Sequence, residues 1–341
     1  MMNRVQSTGM FSKISVLTLI LISIVFGSFL LGRYPVTPDM VLTILAAQFI
    51  DIPETWSKTM ETVVIHVRFP RIVAAILVGG ALSVSGAAYQ SLFKNPLVSP
   101  AILGVSAGAG FGAALGMLMY LPWSGIQIMA FFFALVAVGA SYLIGKVLGK
   151  NSMIVLVLGG MVISSIFQAL LSVLKYLADP VDTLPAITFW LMGSLGKVSN
   201  ADIQFVLLPI LLSLLVLFAI RWQVNILSVG EEEAATLGVS IGKIQFLVVM
   251  SATMMTAAAV SISGIIGWVG LIIPHLARML VGPNFHRVLP TSFLMGSAYL
   301  LLVDSISRSV STIEIPLGIL TALVGAPFFI FLLSQVKRGW S

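Results

Sequence analysis

The side chains that usually perform catalysis or hold metal ions are few in this sequence. It contains three histidines, at positions 66, 275 and 286, and no cysteine. No HExxH motif is present and no histidine has a second ligand at helical spacing, so a zinc site is not predicted. The lack of cysteine excludes a disulfide framework and a thiolate nucleophile.

Residues 145–151, Gly-Lys-Val-Leu-Gly-Lys-Asn, have a superficial likeness to a phosphate-binding loop. The glycine spacing is wrong, and Asn151 stands where the motif requires Ser or Thr. No soluble strand is predicted before it. The sequence therefore predicts that this chain does not hydrolyse ATP by itself.

An acidic segment, Glu-Glu-Glu-Ala-Ala-Thr-Leu-Gly, occupies residues 231–238. Three glutamates after Gly230 complement the positive end of a helix dipole, and Gly238 is suited to ending that helix. Two interpretations stay open. The segment is either a solvated connecting helix or a short amphipathic element that a partner protein binds.

Three arginines are notable for their positions. Arg68 and Arg71 enclose a Phe-Pro pair, and Arg308 follows Asp304 by four residues, which is the spacing of an ion pair within a helix. One interpretation is structural, with Arg308 paired to Asp304 and the other two anchoring a span at the lipid headgroups. The other is that all three attract an acidic partner.

The composition determines which elements must position these residues. Of 341 residues, 59% are hydrophobic and 9% are charged, and the mean hydropathy is +1.10. Soluble domains carry about 25% charged residues, so a soluble enzyme is excluded. The net charge of +6 includes no basic run, so nucleic acid is not a predicted partner. The chain is predicted to be an all-α, polytopic membrane protein.

Apolar stretches of about 20 residues between charged side chains predict the spanning helices. Two stretches are too long for one helix, and turn-forming residues at 121–125 and 261–264 divide them. Residues 1–341 are predicted to be a single transmembrane domain, with a non-spanning external connection at 33–67. The ten predicted spans are 14–32, 72–93, two within 95–145, 151–174, 203–220, two within 244–281, 288–303 and 315–336.

Ten spans place both termini on one side of the membrane. If that side is the cytoplasm, it holds eleven Lys and Arg residues against seven outside, which agrees with the positive-inside rule. The first apolar stretch is interpreted as a retained helix, because it is long for a signal peptide and lacks a clear cleavage site. A cleaved signal peptide is the alternative.

Glycines recur every four residues at positions 104, 108, 112 and 116. This spacing places them on nearly one face of a helix, where another backbone can approach closely. We predict a packing face. The alternative function for such a stripe is a substrate path.

Several motifs in order resemble one family, the permease subunits of type II ABC importers (FecCD-like), which handle iron–siderophores, haem and cobalamin. The resemblance runs from about residue 68 to residue 333. The stretch Gly-Trp-Val-Gly-Leu-Ile-Ile-Pro-His-Leu-Ala-Arg at 267–278 is its most diagnostic part. The other matching motifs lie at 68–71, 86–90, 95–100, 103–109, 190–195, 230–239, 314–318 and 325–329.

This resemblance implies the family's ten-helix permease fold and its function as the translocating subunit of an importer. Cargo would be a metal chelate of the iron–siderophore, haem or cobalamin class, or molybdate. The implied partners are a second copy of the chain, two cytoplasmic ATPase subunits and an external binding protein. The chain itself would bind no cofactor, because ATP and Mg²⁺ belong to the ATPase. The implied location is a bacterial or archaeal inner membrane, with both termini cytoplasmic.

The resemblance also implies roles for individual residues. Arg68, Arg71 and Arg308 would dock the external binding protein, and residues 230–239 would couple the permease to the ATPase. Asn151, Ser152 and Met153 would form an inner gate, with a capped basic loop as the alternative interpretation. The coupling residues are Glu231, Glu232, Glu233, Ala234, Ala235, Leu237 and Gly238.

Two other functions fit the sequence less well than import by an ABC system. An ion-coupled secondary transporter needs carboxylates or histidines within its spans, whereas the charges here lie almost wholly at span ends. A structural membrane-assembly subunit would need neither the three arginines nor the segment at 230–239.

Overall fold

The computed structural model describes residues 2–149, 153–310 and 313–336. Within these ranges the chain is a helix bundle without strands, which confirms the predicted all-α fold. A π-helical turn, Thr62–Arg68, joins α3 to α4, and a 3-10 turn, Pro100–Leu103, precedes α5. The helices are α1 (Met2–Leu30), α2 (Pro38–Ala47), α3 (Lys58–Glu61), α4 (Phe69–Leu92), α5 (Val105–Leu118), α6 (Trp123–Gly149), α7 (Met153–Leu177), α8 (Thr183–Met192), α9 (Asn200–Ala219), α10 (Arg221–Val229), α11 (Glu231–Thr236), α12 (Ile241–Ser263), α13 (Val269–Val281), α14 (Phe285–Ser307) and α15 (Leu317–Val336).

Seven helical stretches in the described chain are long and apolar enough to cross a membrane. They contain α1, α4, α6, α7, α9, α12 and α14. Three shorter apolar helices, α5, α13 and α15, occupy the remaining predicted spans. Each of the ten predicted spans therefore corresponds to one helix.

Both predicted divisions of the long apolar stretches are confirmed. Helix α5 ends at Leu118 and α6 begins at Trp123, while α12 ends at Ser263 and α13 begins at Val269. At the second division Gly264 and Trp268 both have positive φ angles, each of +67°. Such a backbone cannot continue a right-handed helix, so the chain must turn there.

The predicted connection at 33–67 differs from the structure at its end. Residues Lys58–Leu92 form one continuous 35-residue helix, so the helix that enters the second span begins well before residue 72. The helix is continuous even though four charged residues interrupt its apolar pattern, namely Lys58, Glu61, Arg68 and Arg71. The earlier part of the connection contains α2, which at ten residues is too short to span a membrane.

Helix α4 forms the centre of the bundle. In its apolar stretch 89% of the residues are buried within the chain, against 11% for α1 at the periphery. A Cβ atom added to Gly79 would lie 2.3 Å from the Gly296 carbonyl oxygen on α14, and one on Gly86 would lie 1.8 Å from the Gly270 carbonyl oxygen on α13. Only glycine permits these backbone contacts, as in other membrane helix pairs.

The glycine stripe of α5 packs in the same way. A Cβ on Gly108 would lie 2.3 Å from the Phe133 carbonyl oxygen, and one on Gly112 would lie 2.2 Å from that of Met129, both on α6. Gly116 is also close to α6, beside Ile126, whereas Gly104 precedes the helix. The predicted packing face is confirmed.

Candidate functional site

The sites predicted from the sequence lie at opposite ends of the bundle. Helix α14 begins where the Phe285 backbone N–H donates to Asn225 Oδ1 on α10, at 3.2 Å, and it ends beside Arg308. We call the end that holds Arg68, Arg71 and Arg308 the arginine end. We call the end formed with α10 and α11 the α11 end.

Arg71 is the centre of a buried ion network at the arginine end. Its Nε lies 2.9 Å and 3.0 Å from the two carboxylate oxygens of Asp304 on α14. Its Nη1 donates to Glu314 Oε1 at 2.8 Å. One guanidinium thus joins α4, α14 and the segment before α15, since its planar set of donors matches two carboxylates at once.

The other two arginines bind the end of α1. Arg308 donates to the carbonyl oxygens of Ser28, at 2.6 Å, and Leu31, at 3.0 Å. Arg68 donates to those of Phe29 and Tyr34. The last carbonyl groups of a helix lack partners within it and carry partial negative charge, so two guanidinium groups stabilise this terminus.

The three arginines are 3%, 6% and 7% exposed at positions 68, 71 and 308. The predicted ion pair between Arg308 and Asp304 is present, with 3.7 Å between Nε and Oδ2. Arg68 and Arg71 are enclosed by protein groups, and anchoring at the lipid headgroups stays an alternative interpretation. Their role in docking a partner is not tested by this geometry and stays a prediction.

The charges of this network depend on one another. Burial raises the pKa of Glu314, but the hydrogen bond from Arg71 and the neighbouring positive charges outweigh it and hold the pKa below its usual value. Burial lowers the pKa of Arg308 to about 10, which still leaves it charged at neutral pH. At neutral pH Glu314 is therefore ionised and Arg308 is protonated.

Sequence reasoning missed two members of this network. Glu314 belongs to a motif at 314–318, but its partner Arg71 is 243 positions away in the chain. Ser28 gave no signal, since a serine in an apolar helix commonly bonds its own helix instead.

A second polar cluster joins three of the motifs near the α11 end. Gln90 on α4 donates through Nε2 to the carbonyl oxygens of Val98, at 3.2 Å, and Leu271, at 3.1 Å. Arg278 on α13 donates to Gln90 Oε1 and, at 3.3 Å, to the Ala87 carbonyl oxygen. Motifs at 86–90, 95–100 and 267–278 therefore form one hydrogen-bonded unit that fixes the loop after α4.

The acidic segment forms α11 with the predicted end. Gly238 has a φ of +75°, and the Gly238 and Val239 N–H groups donate to the Ala235 and Ala234 carbonyl oxygens at 3.0 Å and 2.9 Å. This is the Schellman arrangement that commonly ends a helix. Ala235 and Leu237 are exposed, whereas Ala234 is buried in the chain itself. Of these three apolar residues, only Ala235 and Leu237 are therefore accessible to a partner.

The predicted inner gate falls largely outside the described residues. Asn151 and Ser152 lie outside them, and Met153 is half-buried at the start of α7. The gate stays a prediction. Within the described chain, no group of three His, Asp or Glu side chains is arranged to hold a metal ion.

Comparisons with known proteins cover almost the whole chain. The model of the FecCD transport family matches residues 18–335. The molybdate import system permease protein MolB of Haemophilus influenzae is 40% identical over 323 residues, or 95% of each chain. A probable iron chelatin transport system permease protein of Helicobacter pylori is 39% identical over 280 residues, 82% of this chain and 85% of that protein.

A solved structure also resembles this fold. It is described as an inward-facing conformation of a metal-chelate type ABC transporter, and the TM-score is 0.85 at 38% identity. The alignment covers 95% of this chain and 99% of the other.

Proposed function

The chain belongs to the FecCD transport family and is a permease subunit of an ABC importer, and we propose that its cargo is a metal chelate or molybdate. The observation that carries this proposal is the family match over residues 18–335, which extends from within α1 to the last turn of α15. The names of two relatives, for molybdate and for iron chelatin, support the two cargo classes. The chelate class extends to iron–siderophore, haem and cobalamin complexes.

A permease of this family works with an ATPase subunit and a substrate-binding protein. We propose a full assembly of two copies of this chain, two ATPase subunits and one external binding protein. In it the chain only translocates: ATP and Mg²⁺ are bound by the ATPase, and this chain binds no cofactor. Alternating access would follow from ATP-driven shifts between inward-open and outward-open states.

The chain is a multi-pass membrane protein, and its orientation across the membrane is part of the proposal. We propose that both termini and the α11 end face the cytoplasm of a bacterial or archaeal cell, and that the arginine end faces outward. The positive-inside count supports this orientation. It brings α11 to the side of the ATPase and the ion network to the side of the binding protein.

Two residue sets receive roles on this basis. Residues 230–239 would couple the permease to the ATPase, with exposed Ala235 and Leu237 as the apolar contacts and the glutamates as a charged rim. Arg68, Arg71 and Arg308 would attract acidic residues of the binding protein. Because these arginines are buried, we propose that they act through the positive potential of the network, which steers association without direct contact.

The test of the proposed function is uptake into proteoliposomes that contain the complete importer. We expect labelled cargo to enter only when the binding protein is outside and ATP is available to the ATPase. Uptake is measured separately for an iron–siderophore, haem, cobalamin and molybdate, each supplied with its own binding protein. Uptake that needs no ATP and disappears when an ionophore collapses the ion gradients would instead establish a secondary transporter.

A further inference from the structure

A cavity of about 420 Å³ lies at the arginine end, next to the ion network. Its walls come from α5, α6, α8 and α12 and from the segments before α9 and α15. This volume lies within the range of about 300–1,000 Å³ that is typical of small-molecule sites. The residues on which its chemistry depends are Trp123, Phe189, Trp190, Lys197 and Glu314.

Three aromatic side chains give the cavity an apolar interior. Trp123 begins α6, and Phe189 and Trp190 are adjacent on α8. Aromatic walls of this kind bind an apolar or aromatic body by burial and by ring contacts. They do not determine which polar group the ligand carries.

The polar groups of the lining are mainly hydrogen-bond donors. Lys197 is exposed, and its Nζ lies 5.6 Å from the centroid of the Trp123 ring. The indole N–H groups of Trp123 and Trp190 are buried and have no hydrogen-bond partner among the described residues. Glu314 is the one carboxylate of the described lining, and Arg71 already binds one of its oxygens at 2.8 Å.

The two charged side chains of the lining differ in their partners. Glu314 is already paired with Arg71, whereas Lys197 contacts the Trp123 ring and has no carboxylate partner among the described residues. A ligand with acceptor oxygens would gain a charge-assisted hydrogen bond from Lys197.

We propose that this cavity binds an amphipathic organic anion, with its aromatic or apolar body between α6 and α8 and its carboxylate, sulfonate or phosphate group at Lys197. The ligand is either a water-soluble organic acid or an anionic lipid.

The test uses the photo-crosslinking anion 4-benzoylbenzoate on the complete importer in nanodiscs, with peptide mass spectrometry to locate the label. We expect labelling on residues 117–126 and 186–197. Lys197→Glu should reduce it about tenfold, because a charge-assisted hydrogen bond is lost and a like charge is added. Lys197→Arg should retain it, and so should Lys175→Glu, the matched change outside the cavity.

Competition separates the two sources of ligand. Displacement of the probe by benzoate indicates a soluble acid, and displacement in nanodiscs rich in phosphatidylglycerol, but not in phosphatidylcholine alone, indicates a lipid. The proposal is overturned if benzyl alcohol competes as well as benzoate, if Lys197→Glu labels like the parent, or if the label lies elsewhere. Because Lys197 is exposed, gel filtration of its variants serves as the check on folding.

Discussion

At the scale of single residues, Asp304 lies where two arginines meet. Both of its carboxylate oxygens accept a hydrogen bond from Arg71 Nε, and Oδ2 also pairs with Arg308. The side chain of Asp304 has no exposed surface. Removing one member of a buried ion pair leaves the other charge uncompensated, which costs about 3–5 kcal/mol. Asp304 is therefore the residue whose replacement should most weaken the arginine end.

We expect Asp304→Asn to lower the free energy of unfolding by about 3–5 kcal/mol, since Arg71 then keeps only Glu314 as a counter-charge and Arg308 loses its carboxylate partner. Equilibrium unfolding in mixed detergent micelles measures this loss. Asp182→Asn makes the same chemical change at an exposed position and should have little effect. Equal stability of the two variants would show that the network contributes nothing to the fold.

The proposed steering role of the arginines belongs to the same scale. Arg308→Gln should slow association of the binding protein at low salt, because the network then loses one of its positive charges. The difference from the parent should fade as salt rises, since screening acts over about 8–10 Å at ordinary ionic strength. Stopped-flow or surface plasmon resonance measures the rate.

The matched control for steering is Arg221→Gln, which removes a positive charge at the α11 end. It should leave the association rate unchanged. An unchanged rate in Arg308→Gln as well, with the folded complex intact, would make the arginines purely structural.

At the scale of elements, contact between α5 and α6 depends on glycines. The Gly108 Cα faces the Phe133 carbonyl so closely that any side chain must push the helices apart. Overpacking of this kind costs about 1–3 kcal/mol. Gly139, also in α6, has nothing within 4 Å of an added Cβ, so alanine there meets no obstacle.

We expect Gly108→Ala to destabilise the protein by about 1–3 kcal/mol and Gly139→Ala to leave it as stable or slightly more so, because alanine is the better helix former. Unfolding in mixed micelles measures both. If the two substitutions behaved alike, close backbone contact would not be what holds α5 to α6.

Helix α11 is the element proposed to couple the chain to its ATPase. Ala235→Trp should leave the complex assembled but uncouple ATP hydrolysis from uptake, because a bulky side chain prevents the exposed face of α11 from packing closely against the ATPase. Gln48→Trp, at an exposed residue directly after α2 and far from α11 in the chain, is the control and should transport normally. Normal uptake by Ala235→Trp would remove the coupling role from this segment.

At the scale of the whole molecule, one surface of α7 is apolar and exposed. Ile154, Leu158, Met161 and Val162 are all more than half exposed along this helix. Large apolar side chains face either lipid or another copy of the chain. The proposed homodimer would place α7, and with it the predicted gate at its start, near the symmetry axis.

Met153→Cys tests the dimer and the gate together, since the chain has no other cysteine to react. We expect a disulfide between subunits, with a yield that changes between nucleotide-free and ATP-bound complexes. Val181→Cys, exposed after α7, is the control for random collision. No cross-link in any nucleotide state, or the same yield in all of them, would contradict the gate at residues 151–153.

Much of the fold follows from local sequence. Uncharged stretches of about 20 residues must be helical in lipid, because a backbone without water has to satisfy its own hydrogen bonds. The two turns, the glycine face of α5 and the end of α11 at Gly238 were predictable for similar reasons. Each depends on residues within a few positions of one another.

The contacts that build the arginine end depend on tertiary structure instead. Arg71 meets Asp304 and Glu314 across 233 and 243 positions, and Arg308 meets Ser28 across 280. The sequence determined that these charges lie near helix ends. The four-residue spacing of Asp304 and Arg308 also predicted their ion pair, which is 3.7 Å long. Which carboxylate neutralises which arginine was decided only by packing, since α4 and α14 must pack together, with the segment before α15 and the end of α1 beside them, before these groups can meet.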